Sequence, residues 1–212
     1  MEYKPSYKYI PPISWHILTP LHDFSCNIIG LGRKFKQEVL DSISLNNNNV
    51  IADIGCGTGV FLEIAKEKYP EASFIGVDPD EKSLTIARER FKKAKLIIEL
   101  KEGFAECLPL ADSSVNICFS TLAFHHMPDD IKRKAIQEMH RILISGGTVV
   151  IADFGKSTGI LFKLFHIFQK IEYIKGNFDG LIIKYLDEVG FKNTRVVGNH
   201  FPGIQVIKSQ KI

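Results

Sequence analysis

The chain has 212 residues, 45% hydrophobic and 24% charged, which suits one domain with a packed core and excludes intrinsic disorder. Its net charge of +3 is spread along the sequence and gives no dense basic face for a phosphate backbone, so no nucleic-acid partner is expected. Cys26, Cys56, Cys107 and Cys118 form no CxxC pair, no segment resembles a signal peptide, and no stretch reaches the about 20 apolar residues of a membrane span; a cytoplasmic protein with reduced thiols is expected.

Ser14 to Leu45 reads as helices broken near Gly30 and Gly32, with Trp15, Leu18, Leu21, Phe24, Ile28, Phe35, Val39 and Leu40 at helical spacing, so residues 1–48 form an N-terminal helical cap. Polar Asn46–Asn49 end it. The short β-branched run Val50–Ile54 then predicts a buried parallel strand. Alternation follows: helix Val60–Lys68, strand Ser73–Val77, helix Glu81–Phe91, strands Leu96–Glu99 and Val115–Phe119, helix Asp130–Leu143 and strand Thr148–Ala152, punctuated at Pro70 and at a Ser145-Gly146-Gly147 turn. Repeated βα units of this kind specify a doubly wound α/β sheet, mostly parallel, with its core over residues 49–153. An apolar helical stretch, Ile160–Ile174, and a helix, Phe178–Val189, occupy residues 154–190. Candidate strands Thr194–Val197 and Gly203–Lys208 fall in residues 191–212 and bring the sheet to seven.

The first strand runs directly into Asp53-Ile54-Gly55-Cys56-Gly57-Thr58-Gly59 and then a helix, which brings backbone N–H groups to the carboxyl edge of the sheet. Glycine there permits left-handed backbone and close approach of a ligand. A dinucleotide fingerprint would place a third glycine at position 60, which is Val60. The spacing is G-x-G-x-G instead, with Asp53 ahead of it to meet an ammonium group. Asp78 ends the second strand nineteen residues beyond Gly59, where a carboxylate can accept both hydroxyls of a ribose. The bland alternative is a tight strand–helix turn with incidental carboxylates.

Val50–Gly59 resembles motif I of the class I S-adenosylmethionine-dependent methyltransferases, on their UbiE-like, type 11 branch. The resemblance implies a Rossmann-like fold, S-adenosyl-L-methionine as cofactor, and a small-molecule methyl acceptor. It also implies cofactor contacts from Asp53, Gly55, Cys56, Gly57, Thr58, Gly59, Asp78 and Pro79. Gly103–Leu110, GFAECLPL, is similar to the segment whose residues matching Ala105 and Glu106 lie beside the adenine. Phe104 stands where relatives commonly carry an Asp, so adenine would be held by stacking or by a backbone carbonyl. Val115–Asp129, VNICFSTLAFHHMPD, resembles the stretch that passes under the methionine moiety, which makes Ser120 and Thr121 candidate contacts.

Methyl transfer from a sulfonium needs few catalytic side chains, since alignment and exclusion of water do most of the work. A hydroxyl or an acidic carbon would need a base, for which His125 and His126 are the candidates; the alternative is that they pack or cap the loop before Pro128. His125, His126, Asp129 and Asp130 lack ligand spacing, so no metal is expected. Acceptor specificity should come from the N-terminal region, with Trp15, His16, His22 and Asp23, and from the apolar Ile160–Ile174 stretch. That stretch reads as core, as the wall of an apolar or lipid-like acceptor pocket, as a peripheral membrane contact with Lys163, Lys170 and Lys175 on its basic side, or as a contact between subunits of a homodimer rather than a monomer. The rival functions are a non-catalytic S-adenosylmethionine-binding protein and an NAD-dependent oxidoreductase. The absence of a DPPY-like segment at Ser120–Ala123 argues against a nucleic-acid methyltransferase.

Overall fold

The computed structural model describes residues 31–156, 173–200 and 203–212. Trp15, His16, His22 and Asp23, and the Ile160–Ile174 stretch up to Ile171, lie outside these residues. In chain order the elements are α1 (Arg33–Asp41), β1 (Val50–Ile54), α2 (Val60–Lys68), β2 (Ser73–Asp78), α3 (Glu81–Ala94), β3 (Glu99–Glu102) and β4 (Val115–Thr121). A 3-10 turn (Phe124–His126) follows, then α4 (Asp129–Ile142), β5 (Leu143–Phe154), the one-turn α5 (Lys175–Phe178), α6 (Leu181–Val189), β6 (Lys192–His200) and β7 (Ile204–Gln210).

The strands make one seven-stranded sheet in the order β3-β2-β1-β4-β5-β7-β6. Strands β1 to β5 pair in parallel, while β7 runs antiparallel to both β5 and β6. Alternation along β5 explains why both faces are covered. Val150, Ala152 and Phe154 join the cluster that holds Phe35, Phe61, Phe91 and Phe119, whereas Val149 and Ile151 join Met139, Leu186 and Phe191 on the other side. The order reverses at β1, which pairs with β2 on one side and β4 on the other, so their carboxyl ends open a crevice there.

Several element boundaries differ from the sequence reading for local reasons. β3 occupies Glu99–Glu102 rather than Leu96–Glu99, because Lys95 turns left-handed (φ 56°) and the Leu96 N–H closes onto the Phe91 carbonyl at 2.9 Å. Those residues finish the α3 cap before pairing with β2 can begin. The Ser145-Gly146-Gly147 turn is a bulge inside β5: pairing slips between Val115/Leu143 and Ile117/Thr148, and Gly146 sits at φ 77° with its N–H on the Lys211 carbonyl. The helix expected over Phe178–Val189 is broken at Gly180 (φ 79°), which separates α5 from α6.

Candidate active site

The glycine loop is tied to β2. The N–H groups of Gly55 and Cys56 both donate to the Val77 carbonyl (2.8 and 3.1 Å), and the Gly57 N–H donates to Asp78 Oδ2 (2.8 Å). All three glycines have positive φ, at 75°, 53° and 77° for Gly55, Gly57 and Gly59, yet they are needed for different reasons. A Cβ on Gly55 would lie 2.5 Å from the Ala123 Cβ, and one on Gly59 would lie 2.6 Å from Phe91 Cζ. A Cβ on Gly57 would meet no atom within 4 Å. Gly55 and Gly59 therefore serve packing, while Gly57 faces an open cradle. Cys56 is buried, and burial pushes its thiol well above the usual range, so the side chain fills space and stays protonated. The Thr58 carbonyl accepts from Arg90 Nε at 2.9 Å, which braces the loop against α3.

Two carboxylates flank this cradle. Asp78 is buried; its Oδ1 accepts from the Asp80 N–H (2.9 Å) on the far side of half-buried Pro79. Burial pushes Asp78 up to about 6, and the Asp80 and Gly57 N–H groups hold it back. Asp53 has 0% exposure, and neither of its oxygens accepts a hydrogen bond. Burial pushes it up to about 7, with the charge of Lys36 opposing the rise and that of Asp78 adding to it. Buried carboxylates are normally satisfied, so an unpartnered one at a crevice marks a place for a donor.

The adenine-side segment is carried to Asp78 by the Gly103 N–H, which donates to the Asp78 carbonyl at 3.2 Å. Ala105 is buried and Glu106 half-buried on a turn closed by a Phe104–Cys107 bridge. α4 clamps its far end. Glu138 accepts from the Leu108 N–H (2.8 Å), while Arg141 donates to the carbonyls of Leu108 and Leu110 (3.1 and 2.8 Å).

On the other side of the crevice, the Ser120 hydroxyl donates to the Ile54 carbonyl at 2.8 Å and ties β4 to β1. That hydrogen is committed inside the sheet rather than offered to a ligand. Thr121 is buried at the strand end, and Leu122 turns left-handed (φ 58°) to bring Ala123 over Gly55. Two residues on, His125 is buried against Asp153, with Nδ1 at 3.0 and 3.2 Å from the two carboxylate oxygens. Asp153 also accepts from the N–H groups of Phe124 (2.8 Å) and Phe154 (2.7 Å) and from Asn177 Nδ2 (3.0 Å). Burial pushes Asp153 up, but His125 and these donors outweigh it and hold the carboxyl below its usual range. The neutral tautomer that donates Nδ1–H to Asp153 carries its lone pair on Nε2. The His126 ring lies against that of His125, 4.1 Å between centroids and tilted by 42°.

Asp153 and Asn177 escaped the sequence reading. The available signal for Asp153 was a carboxylate inside the apolar run VVIADF; Asn177 gave none that separates it from ordinary polar positions. Among the described residues no three His, Cys, Asp or Glu side chains converge as metal ligands would, and no helix is long and apolar enough to cross a membrane. Of the apolar stretch, Ile174 is buried in the core, and the chain beside it is pinned by the fully buried Lys132, which donates to the Tyr173 carbonyl (2.6 Å) and to Asp129 (2.8 Å).

Residues 51–147 match the protein-family model described as a methyltransferase domain. The chain is 29% identical over 157 residues to a ubiquinone/menaquinone biosynthesis C-methyltransferase, UbiE, of Geobacter sp. (strain M21), a match covering 71% of the chain and 66% of that relative. It thus spans just under two thirds of the relative's length. Against the UbiE of Geotalea daltonii it is 26% identical over 204 residues, 84% of the chain and 86% of the relative. Its fold is that of an S-adenosylmethionine-dependent methyltransferase from Aquifex aeolicus, with a TM-score of 0.69 at 18% identity over 84% of this chain and 89% of the other.

S-adenosylmethionine is the cofactor that the methyltransferase-domain match implies, and the residues of this site fit it. The unpartnered Asp53 suits the ammonium of the methionine moiety, Asp78 suits the ribose hydroxyls, and the open cradle at Gly57 leaves room that a side chain would fill. A dinucleotide is served less well, since α2 begins with Val60 where a pyrophosphate-binding loop carries its third glycine.

Proposed function

We propose that this chain is an S-adenosylmethionine-dependent methyltransferase that methylates an apolar small molecule at a carbon atom, in the manner for which its UbiE relatives are named, and that His125 removes the proton that the acceptor gives up. The observation that carries the reading is the buried, unpartnered Asp53 carboxylate beside the open face of Gly57. When bound, the cofactor supplies an already activated methyl group. The chain's own residues do the rest. Asp53, Asp78 and the glycine loop hold and orient, while Asp153 fixes His125 with Nδ1–H inward, so that Nε2 can accept a proton at the β4 side of the crevice. The imidazolium so formed lies against the Asp153 carboxylate.

In this reading residues 49–153 bind the cofactor and 154–190 shape the acceptor pocket, on a cytoplasmic monomer or homodimer without a nucleic-acid partner. The free thiols of Cys56, Cys107 and Cys118 support a reducing compartment. The test is to incubate the protein with S-adenosylmethionine and a panel of apolar ring compounds bearing an acidic C–H or hydroxyl, measuring S-adenosylhomocysteine and the position of the new methyl group. Carbon methylation that falls at least tenfold in kcat for His125→Gln, with cofactor affinity kept, is expected. Tight cofactor binding without product across the panel would favour a non-catalytic binding protein.

A further inference from the structure

Asp53 has a counterpart on the β5 side of the crevice, a second buried side chain with an oxygen that lacks a donor. Asn177, in the one-turn α5, is 2% exposed, and its Oδ1 accepts no hydrogen bond. The other end of the amide fixes which way that oxygen faces. Asn177 Nδ2 donates to Asp153 Oδ1 at 3.0 Å, and the reversed amide would set a carbonyl oxygen against a carboxylate, so Oδ1 points away from Asp153. A buried amide carbonyl left in this state costs free energy unless a donor reaches it.

Direct contacts place this amide beside the base. Asp153 is the penultimate residue of β5, at the carboxyl edge of the sheet, and the oxygen that takes the Asn177 amide also lies 3.0 Å from His125 Nδ1. The amide nitrogen and the imidazole nitrogen are therefore within about 6 Å of each other, a span that one small ring compound covers. The helix is held there from outside. Lys132 anchors the Tyr173 carbonyl (2.6 Å), Ile174 is buried in the core, and the Phe178 ring meets Phe154 edge-on at 6.3 Å. Gly176 passes so close to α4 that a Cβ on it would collide with the Asp129 carboxylate. A neutral amide oxygen among aromatic residues, with Phe154 next to Asp153 and Phe178 next to Asn177, suits a hydroxyl on an apolar ring; an ammonium would gain more from a carboxylate.

We propose that Asn177 is a specificity-determining residue for the methyl acceptor: its Oδ1 accepts a hydrogen bond from a hydroxyl on the acceptor's ring and so sets the orientation of that ring towards His125. This rests on the reading of His125 as the base and narrows the acceptor from an apolar ring in general to one that bears a hydroxyl donor.

The test is an NMR titration of the 15N-labelled full chain, with S-adenosylhomocysteine bound, using phenol and then anisole, in which a methyl group replaces the hydroxyl hydrogen. Wild type is expected to bind phenol about tenfold more tightly than anisole, and Asn177→Ala to bind the two within about twofold of each other. In wild type the side-chain NH2 signals of Asn177 should move with phenol and hold still with anisole, a readout that needs no variant. Equal affinity of wild type for the two, binding of neither, or a preference kept in Asn177→Ala would overturn the proposal while leaving the cofactor reading intact. Failure of S-adenosylhomocysteine to bind would overturn the cofactor reading, and the role of Asn177 with it.

Discussion

Asp53 and Asp153 are the same residue in nearly the same place. Each lies near the carboxyl end of a parallel strand, on β1 and β5 with β4 between them, and neither is more than 1% exposed. Asp153 accepts from the backbone N–H groups of Phe124, His125 and Phe154 at 2.8, 3.4 and 2.7 Å, from Asn177 and from the His125 ring, and is held below its usual range. Asp53 accepts from nothing and is pushed up to about 7. Burial pushes both in the same direction, so the donors decide the outcome. The β5 carboxylate is finished by the protein alone, whereas the β1 carboxylate is finished only when a ligand arrives.

Substitutions at these two sides should act on different observables. Asp153→Ala strands the His125 ring, Asn177 and three backbone donors in the interior, so a loss of about 3–5 kcal/mol of stability is expected by urea unfolding. Asp53→Asn should do the reverse. Its folded-state pKa lies above the ordinary value of 3.8, so what it contributes to stability is present below about pH 4 and lost as pH rises through about 7. The asparagine variant, without ligand, should therefore be more stable than wild type by about 2–4 kcal/mol at pH 8, with the gap closing towards pH 4, while binding the cofactor more weakly. Matching stability curves at all pH values would mean that Asp53 is satisfied after all.

Gly57→Val should spare the fold better than Gly55→Val, because the new Cβ at 57 meets no protein atom and the one at 55 meets Ala123, but it should weaken cofactor binding about a hundredfold in a calorimetric titration. Asp78→Ala should remove about 1–3 kcal/mol of cofactor affinity, through its lost bonds to the ribose and its loosened hold on the Gly57 N–H.

The parallel sheet was legible because its strands are short apolar runs between strong helical patterns; Val50–Ile54 and Val60–Lys68 fall where the sequence puts them. Boundaries failed where backbone hydrogen bonding outweighed hydrophobicity. Leu96 and Ile98 look like strand residues and do pack on the core, but the left-handed Lys95 cap delays pairing until Glu99. Within the site, the loop and its two acids were readable because they are contiguous or fixed in spacing. Asp153 was not, since its meaning depends on a histidine on another strand's exit and an asparagine in α5. The Ser120 hydroxyl, expected to meet the cofactor, donates to the Ile54 carbonyl, a bond the sequence did not signal.

The unfinished state of Asp53 is most directly tested by measuring protons released on binding. Wild type is titrated at pH 7 with S-adenosylmethionine, and separately with 5′-methylthioadenosine, in buffers of different ionisation heat. The first compound brings an ammonium to a carboxyl that titrates at about 7 and should expel about half a proton more than the second, which brings the same adenine and ribose without it. Equal proton release by the two compounds, or no binding of S-adenosylmethionine, would contradict the assignment of Asp53 as the acid that awaits the cofactor.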